Sequence, residues 1–74
     1  MEKEIIEIIA GVAEIPARKI KKDSNLIRDL ELESLDLVTL VAEFEEKYQI
    51  YVEDKDIKDL QTVGDIINYI EKHV

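Results

Sequence analysis

The sequence predicts an all-α domain: a four-helix bundle of three longer helices and one short helix, with a long structured first loop. Apolar residues recur at helical spacing in three segments, and the one strand-like stretch has nothing nearby to pair with. A length of 74 residues allows one small domain, so residues 1–74 are expected to form a single unit with a simple core.

The first helix is predicted over residues 2–14. Ile5, Ile9 and Val12 fall on one apolar stripe, as in a helix that packs one face against a core. Pro16 disfavours helical geometry at Ile15 and is therefore expected to close the segment.

Residues 16–33 show no sustained periodicity and are predicted to form a loop. So long a loop is uncommon in a small domain unless it is functional or well packed. Its apolar residues are expected to pin it to the core: Ile20, Leu26, Ile27, Leu30 and Leu32.

The second helix, over residues 35–48, has the strongest pattern. One polar strip contains Asp36, Thr39, Glu43, Glu46 and Lys47. The rest of the circumference is apolar apart from Glu45, which is a sector too wide for one neighbour. The helix is therefore expected either to be core contacted on two sides or to line an internal cavity.

The last third of the chain predicts a connector and two helices. Residues 49–52 read as an extended connector, and residues 54–60 allow one or two helical turns. Thr62 and Asp65 have the spacing of a capping box that starts the final helix. Its buried stripe is predicted to be Val63, Ile66, Ile67 and Ile70.

Composition excludes several classes of function. The formal net charge of −8 disfavours nucleic acid and anionic membranes and favours partners with basic surfaces. The chain has no cysteine, and its one histidine, His73, lies beside the C-terminus, so neither a catalytic site nor a metal site is expected. No apolar run approaches the ~20 residues that span a bilayer. A soluble, monomeric, cytoplasmic protein is expected.

The charge is unevenly distributed. Residues 29–46 hold seven acids and no Lys or Arg, whereas residues 18–22 hold four basic residues and no acid. The plain interpretation of the acidic segment is a solvated face. Repulsion among like charges costs stability, however, and this cost favours a surface on which basic partners dock.

Ser34 is the candidate functional residue, because it lies among carboxylates where the second helix is expected to begin. A helix start offers free backbone N–H groups that favour an attached anion. The acidic surroundings disfavour an unassisted nucleophile, so a serine modified by another protein is indicated. The alternative is that Ser34 serves only as an N-cap.

Four motifs resemble the acyl carrier protein family over nearly the whole chain. They are Asp23-Ser24-Asn25-Leu26, Asp29-Leu30, Glu33-Ser34-Leu35-Asp36 before the acidic helix, and the tail from Thr62 to Ile70. The resemblance implies that Ser34 carries 4′-phosphopantetheine, transferred from coenzyme A by a phosphopantetheinyl transferase. The chain would then hold acyl groups as thioesters for enzymes of fatty-acid, polyketide or related lipid metabolism.

The family also implies two sets of residues. Partner docking would use Asp29, Glu33, Leu35, Asp36, Glu43 and Glu46. An acyl pocket would draw on Leu26, Leu37, Val38, Val41, Phe44, Ile57, Leu60 and Ile66.

The sequence departs from the usual family pattern at Arg28, Glu31, Leu32, Glu33 and Leu37. Glu31 stands where a glycine is frequent, and Arg28 stands where an acid is frequent. With these departures, a specialised carrier for another acyl pathway is at least as well supported as the housekeeping carrier of fatty acid synthesis. The alternative of another class is a small acidic helical protein-interaction domain without a prosthetic group.

Overall fold

The computed structural model describes all residues, 1–74, and contains four α-helices. These are α1 (Glu2–Ala13), α2 (Ser34–Tyr48), α3 (Asp54–Ile57) and α4 (Val63–His73), with a short 3₁₀ turn at Ala17–Lys19. The predicted all-α bundle, with three longer helices and one short helix, is confirmed. None of the four helices has the length and apolar character needed to span a bilayer.

Local signals explain the ends of α1 and α4. Helix α1 stops at Ala13, one residue earlier than predicted, because Glu14 adopts a left-handed conformation with φ 58°. The chain has thus already turned before Pro16. Helix α4 begins as predicted: the Thr62 hydroxyl accepts from the Asp65 N–H at 3.1 Å, and the Asp65 carboxylate accepts from the Thr62 N–H at 3.1 Å.

The core is wholly apolar. Helix α1 packs against α2 and α4, and no charged or polar residue is buried. The main cluster comprises Ile5, Ile9, Ile20, Leu26, Leu30, Leu32, Leu40, Phe44, Val63, Ile66, Ile67 and Ile70. The predicted stripe of α4 is therefore entirely buried, and four of the five apolar loop residues join the core. Ile27 does not, because half of its surface (51%) remains exposed.

Backbone hydrogen bonds fix the long loop to the start of α4 and to the segment before it. The Leu26 N–H donates to the Gln61 carbonyl at 2.9 Å, and the Gly64 N–H donates to the Lys22 carbonyl at 2.8 Å. A Cβ at residue 64 would lie 3.1 Å from that Lys22 oxygen, so the close approach favours glycine there. The loop is thereby held beside α3.

Candidate functional site

Ser34 is the first residue of α2 and its side chain is exposed. The N-cap is Glu33, in an extended conformation, and its N–H donates to the Asp36 carboxylate at 2.9 Å. The alternative in which Ser34 is only an N-cap is therefore wrong. The cap is built by the two flanking acids, and this leaves the Ser34 hydroxyl without a role in the helix end.

Free backbone donors lie beside Ser34. The first bond of α2 runs from the Leu37 N–H to the Glu33 carbonyl at 3.1 Å. The N–H groups of Ser34 and Leu35 precede it and have no acceptor within the protein. An anionic ester on Ser34 would meet these donors and the positive end of the helix dipole, which favours it by typically ~0.3–1 kcal/mol.

The loop before Ser34 is held by a turn centred on Asn25. Its side-chain oxygen accepts from the Arg28 N–H at 2.8 Å, and its own N–H donates to the Asp29 carboxylate at 2.7 Å. Asp29 is exposed, but its carboxylate is thus engaged in the loop. Glu31 follows with φ 55°, a left-handed conformation that costs a non-glycine residue roughly 1–2 kcal/mol. This conformation is the physical reason why glycine suits that position.

Four of the six residues assigned to partner docking share one side of α2. On α2, a rotation of ~100° per residue places Leu35, Glu46, Glu43 and Asp36 within a single sector of about 100°. Leu35 is 79% exposed, and Val38 beside this sector is 58% exposed. The expectation that the apolar sector is covered on two sides is therefore wrong at Val38, whereas exposure of Leu35 agrees with its assignment to docking. Together the two residues form an apolar strip on the surface.

The acidic surface extends further than the sequence indicated. Glu43 and Glu46 border an open groove between α1 and α2 whose opposite wall carries Glu4 and Glu7. Lys47 is the one basic residue in this groove. No sequence pattern indicates this juxtaposition, because it depends on how α1 docks against α2.

An internal apolar cavity lies between α2, α3 and α4. Seven of the eight residues assigned to an acyl pocket line it: Leu26, Leu37, Val41, Phe44, Ile57, Leu60 and Ile66. The eighth, Val38, points away from the cavity into a shallow groove beside Tyr51. Sequence reasoning missed four lining residues, Leu40, Val52, Tyr69 and Ile70. Helical spacing from Phe44 and Ile66 was the signal that could have found Leu40 and Ile70.

The cavity has little free space. The centre of a water molecule has about 20 Å³ available inside it, which is room for little more than one water. An acyl chain therefore enters only if a wall moves. Helix α3 is the shortest wall, and a hydrogen bond of 2.9 Å from the Tyr69 hydroxyl to the Asp56 carboxylate ties it to α4. The connector before α3 is tied to α2, because the Glu45 carboxylate accepts from the Val52 N–H at 2.9 Å.

The Tyr69–Asp56 bond predicts a loss of stability in alkali. Burial, followed by the hydrogen bond to Asp56, raises the pKa of Tyr69 above its ordinary value of about 10. Because the folded state disfavours the phenolate, this stabilisation is complete below pH ~10 and is lost as the pH rises through the pKa of folded Tyr69. Tyr69→Phe should melt earlier at neutral pH and lose less on going to pH 11.

The matched control for this prediction is Tyr51→Phe, since Tyr51 is 72% exposed and donates no side-chain hydrogen bond. Melting curves between pH 7 and pH 11 compare both variants with the parent protein. Equal alkaline losses in the Tyr69→Phe protein and the parent would contradict the assigned role of this bond.

The single histidine of the chain packs at the C-terminal end of α4. The His73 ring stacks on Tyr69 with ring centroids 4.1 Å apart, and its Nδ1 lies 2.8 Å from the Tyr69 carbonyl oxygen. His73 is thus bound to the C-terminal turn of α4. No cluster of three or more His, Cys, Asp or Glu side chains is arranged to hold a metal ion.

The family model and similar relatives indicate the same family. Residues 3–70 match the family model described as "Phosphopantetheine attachment site". The acyl carrier protein of Thermotoga maritima is 44% identical over 70 residues, covering 95% of this chain and 83% of its own length. The acyl carrier protein of Thermobifida fusca is 37% identical over 75 residues, covering 96% and 95%.

A solved structure shows the same fold. The acyl carrier protein of Enterococcus faecalis superposes with a TM-score of 0.85 at 25% identity, covering 99% of this chain and 92% of the other.

Proposed function

Because the chain belongs to the acyl carrier proteins, the family with the phosphopantetheine attachment site, we propose that Ser34 is the residue that bears the prosthetic group. Members of this family are carriers and not enzymes. The attached 4′-phosphopantetheine supplies the thiol that this cysteine-free chain lacks, and acyl groups are held on it as thioesters.

The observation that carries the proposal is the position of Ser34. Its hydroxyl is exposed at the first residue of a long helix, and the N–H groups of Ser34 and Leu35 are unpaired. These groups fit a phosphodiester, because a helix N-terminus favours negative charge without needing a lysine or arginine.

Mass spectrometry tests the proposal directly. The protein is incubated with coenzyme A and a phosphopantetheinyl transferase of broad specificity. We expect the mass to increase by one phosphopantetheine per chain. An unchanged mass would favour the alternative, an acidic helical interaction domain that uses the same face of α2 without a prosthetic group.

The partners and the organisation of the protein follow from the same proposal. We propose that residues 1–74 act as one monomeric carrier domain served by a phosphopantetheinyl transferase and by acyl-transferring and acyl-modifying enzymes with basic surfaces. The net charge of −8 supports basic partners and disfavours nucleic acid. A cytoplasmic location and a role in fatty-acid, polyketide or related metabolism rest on family membership alone.

We propose the internal cavity as the acyl pocket. Its wall is apolar throughout, and Leu37 on that wall lies about one helical turn from Ser34. Leu37 and Arg28 are also departures from the common family pattern, and they support a carrier specialised for a cargo other than the ordinary fatty acyl chain.

Docking of basic partners should depend on the acids of α2. We expect Asp36→Lys or Glu43→Lys to slow modification by the transferase about fivefold, mainly through slower association. The rate for the parent protein should also fall as salt rises, because exposed charges are screened within ~8 Å at physiological ionic strength. Initial rates at several salt concentrations provide the measurement.

Glu71→Lys is the control for docking, since it makes the same change of charge on the exposed surface of α4. Equal slowing in all three variants would assign the effect to net charge and remove the docking role of α2.

A further inference from the structure

A surface groove beside the internal cavity carries positive charge. It runs between the long loop and α3, and it is lined by Asn25, Ile27, Arg28, Leu37, Ile57, Lys58, Leu60 and Gln61. Two of these residues are cations and none is an acid, although the chain contains 18 acidic and 10 basic residues. The groove is therefore positively charged, although the whole molecule carries a negative net charge.

Other charged grooves do not share this property. Lys47 lies in the α1–α2 groove together with four glutamates, and Arg18 lies in a groove that also contains Glu2 and Glu7. The ion pairs of the structure are made by Lys22 and Lys55, so neither Arg28 nor Lys58 is paired. Both cations of the groove are available to an incoming anion.

The groove continues the wall of the internal cavity. Leu37, Ile57 and Leu60 line both spaces. The groove is open to solvent, whereas the cavity has room for little more than one water. The groove is thus a half-apolar channel with two cations that adjoins the apolar cavity through these shared residues.

We propose that this groove receives an acyl group whose far end is a carboxylate, with Arg28 and Lys58 as the charge partners of that carboxylate. This inference rests on the proposed attachment of the carrier arm at Ser34. The methylene chain lies against Leu37 and Leu60, and the terminal anion lies between the two cations. A purely alkyl cargo makes the contacts with Leu37 and Leu60 but gains nothing from the two cations.

Charge explains why such a cargo needs a dedicated groove. A chain with a net charge of −8 repels a free carboxylate over most of its surface. Arg28 in particular can hold a carboxylate through two parallel hydrogen bonds, whereas Lys58 adds a mobile point charge. The two residues therefore select between cargoes of equal length by their terminal group.

The test compares two cargoes of six carbons. The protein is loaded on its arm with hexanoyl or adipoyl groups, and each form is melted beside the unacylated holo protein. For each protein, the melting temperature of the acylated form is expressed as a difference from its own holo form. For the adipoyl group, we expect this difference to be about 2–5 °C lower in Arg28→Gln/Lys58→Gln than in the parent protein. For the hexanoyl group, we expect the difference to be the same in both proteins. Amide NMR shifts at Ile27, Leu37 and Leu60 should respond to adipoyl loading only when the cations are present.

Lys19→Gln/Lys21→Gln is the matched control, because it removes two exposed charges from the same loop outside the groove. It should preserve the difference between adipoyl and hexanoyl. Equal behaviour of the two cargoes in the parent protein, or equal effects of the two double substitutions, would overturn the inference. Loading is followed by mass, so failure to attach the arm at all is distinguished as a failure of the proposed function.

Discussion

Ser34→Ala should abolish attachment of phosphopantetheine, whereas Ser24→Ala should still accept one group per chain. These are the only two serines in the sequence. The Ser24 hydroxyl accepts a hydrogen bond from the Lys21 N–H at 3.0 Å within the loop. The Ser34 hydroxyl makes no hydrogen bond, is exposed, and lies beside two free N–H groups at the start of α2. Only Ser34 therefore combines access with a site for the phosphate.

The two substitutions differ in their structural cost, and this difference makes the comparison informative. Ser34→Ala removes no hydrogen bond, so its free energy of unfolding should stay within about 0.5 kcal/mol of the parent. Ser24→Ala removes a turn bond and should lose about 1 kcal/mol. Ser34→Ala is thus expected to be as stable as the parent but unmodified, and Ser24→Ala is expected to be less stable but modified. A mass increase in Ser34→Ala would contradict the assignment.

Periodicity was sufficient to predict the three longer helices. The stripes of α1 and α4 are regular, and the Thr62–Asp65 box marks a helix start by local chemistry alone. The exact start of α2 was not accessible in the same way. Glu33 is the cap there and Ser34 is already helical, because Asp36 closes back on the Glu33 N–H. A serine and an acid compete for the cap, and the sequence does not rank them.

Tertiary packing decided what the sequence could not. Leu35 and Val38 have the composition of core residues, yet they are exposed because the core covers the opposite face of α2, which carries Leu40 and Phe44. The Tyr69–Asp56 bond joins residues of two helices, and no local pattern indicates it. The positive groove likewise arises because loop bonds to Gln61 bring Arg28 and Lys58 to one channel.

The family resemblance predicted most of the residues assigned to the cavity wall correctly, whereas periodicity alone did not show that a cavity exists. Periodicity left α2 open to two interpretations, plain core or cavity wall. The structure shows both at once, since Leu40 and Phe44 are buried in the core and also line the cavity. Because core residues form part of the cavity wall, enlarging the cavity disturbs the packing of the core. This disturbance is measurable as a change in the free energy of unfolding.

Stability should rise and then level off as longer acyl groups are attached to the arm. Each buried CH₂ contributes roughly 0.8 kcal/mol before the costs of ordering the chain and opening the cavity. Since the cavity has room for about one water, the first carbons are offset by displacement of α3 and by loss of the Tyr69–Asp56 bond. Melting of the two- to ten-carbon forms should therefore show a lag, a rise and a plateau that marks the depth of the pocket.

Two phenylalanine variants on α2 separate insertion from surface binding. Val41→Phe fills the cavity from its wall, whereas Val38→Phe adds the same volume at a position outside it. We expect Val41→Phe to move the plateau to shorter chains and Val38→Phe to leave it in place. If stability is flat across the series, the acyl group stays in solvent, and if Val38→Phe shifts the plateau as much as Val41→Phe, the acyl chain lies on the exposed apolar strip of α2. In either case the cavity is ordinary core.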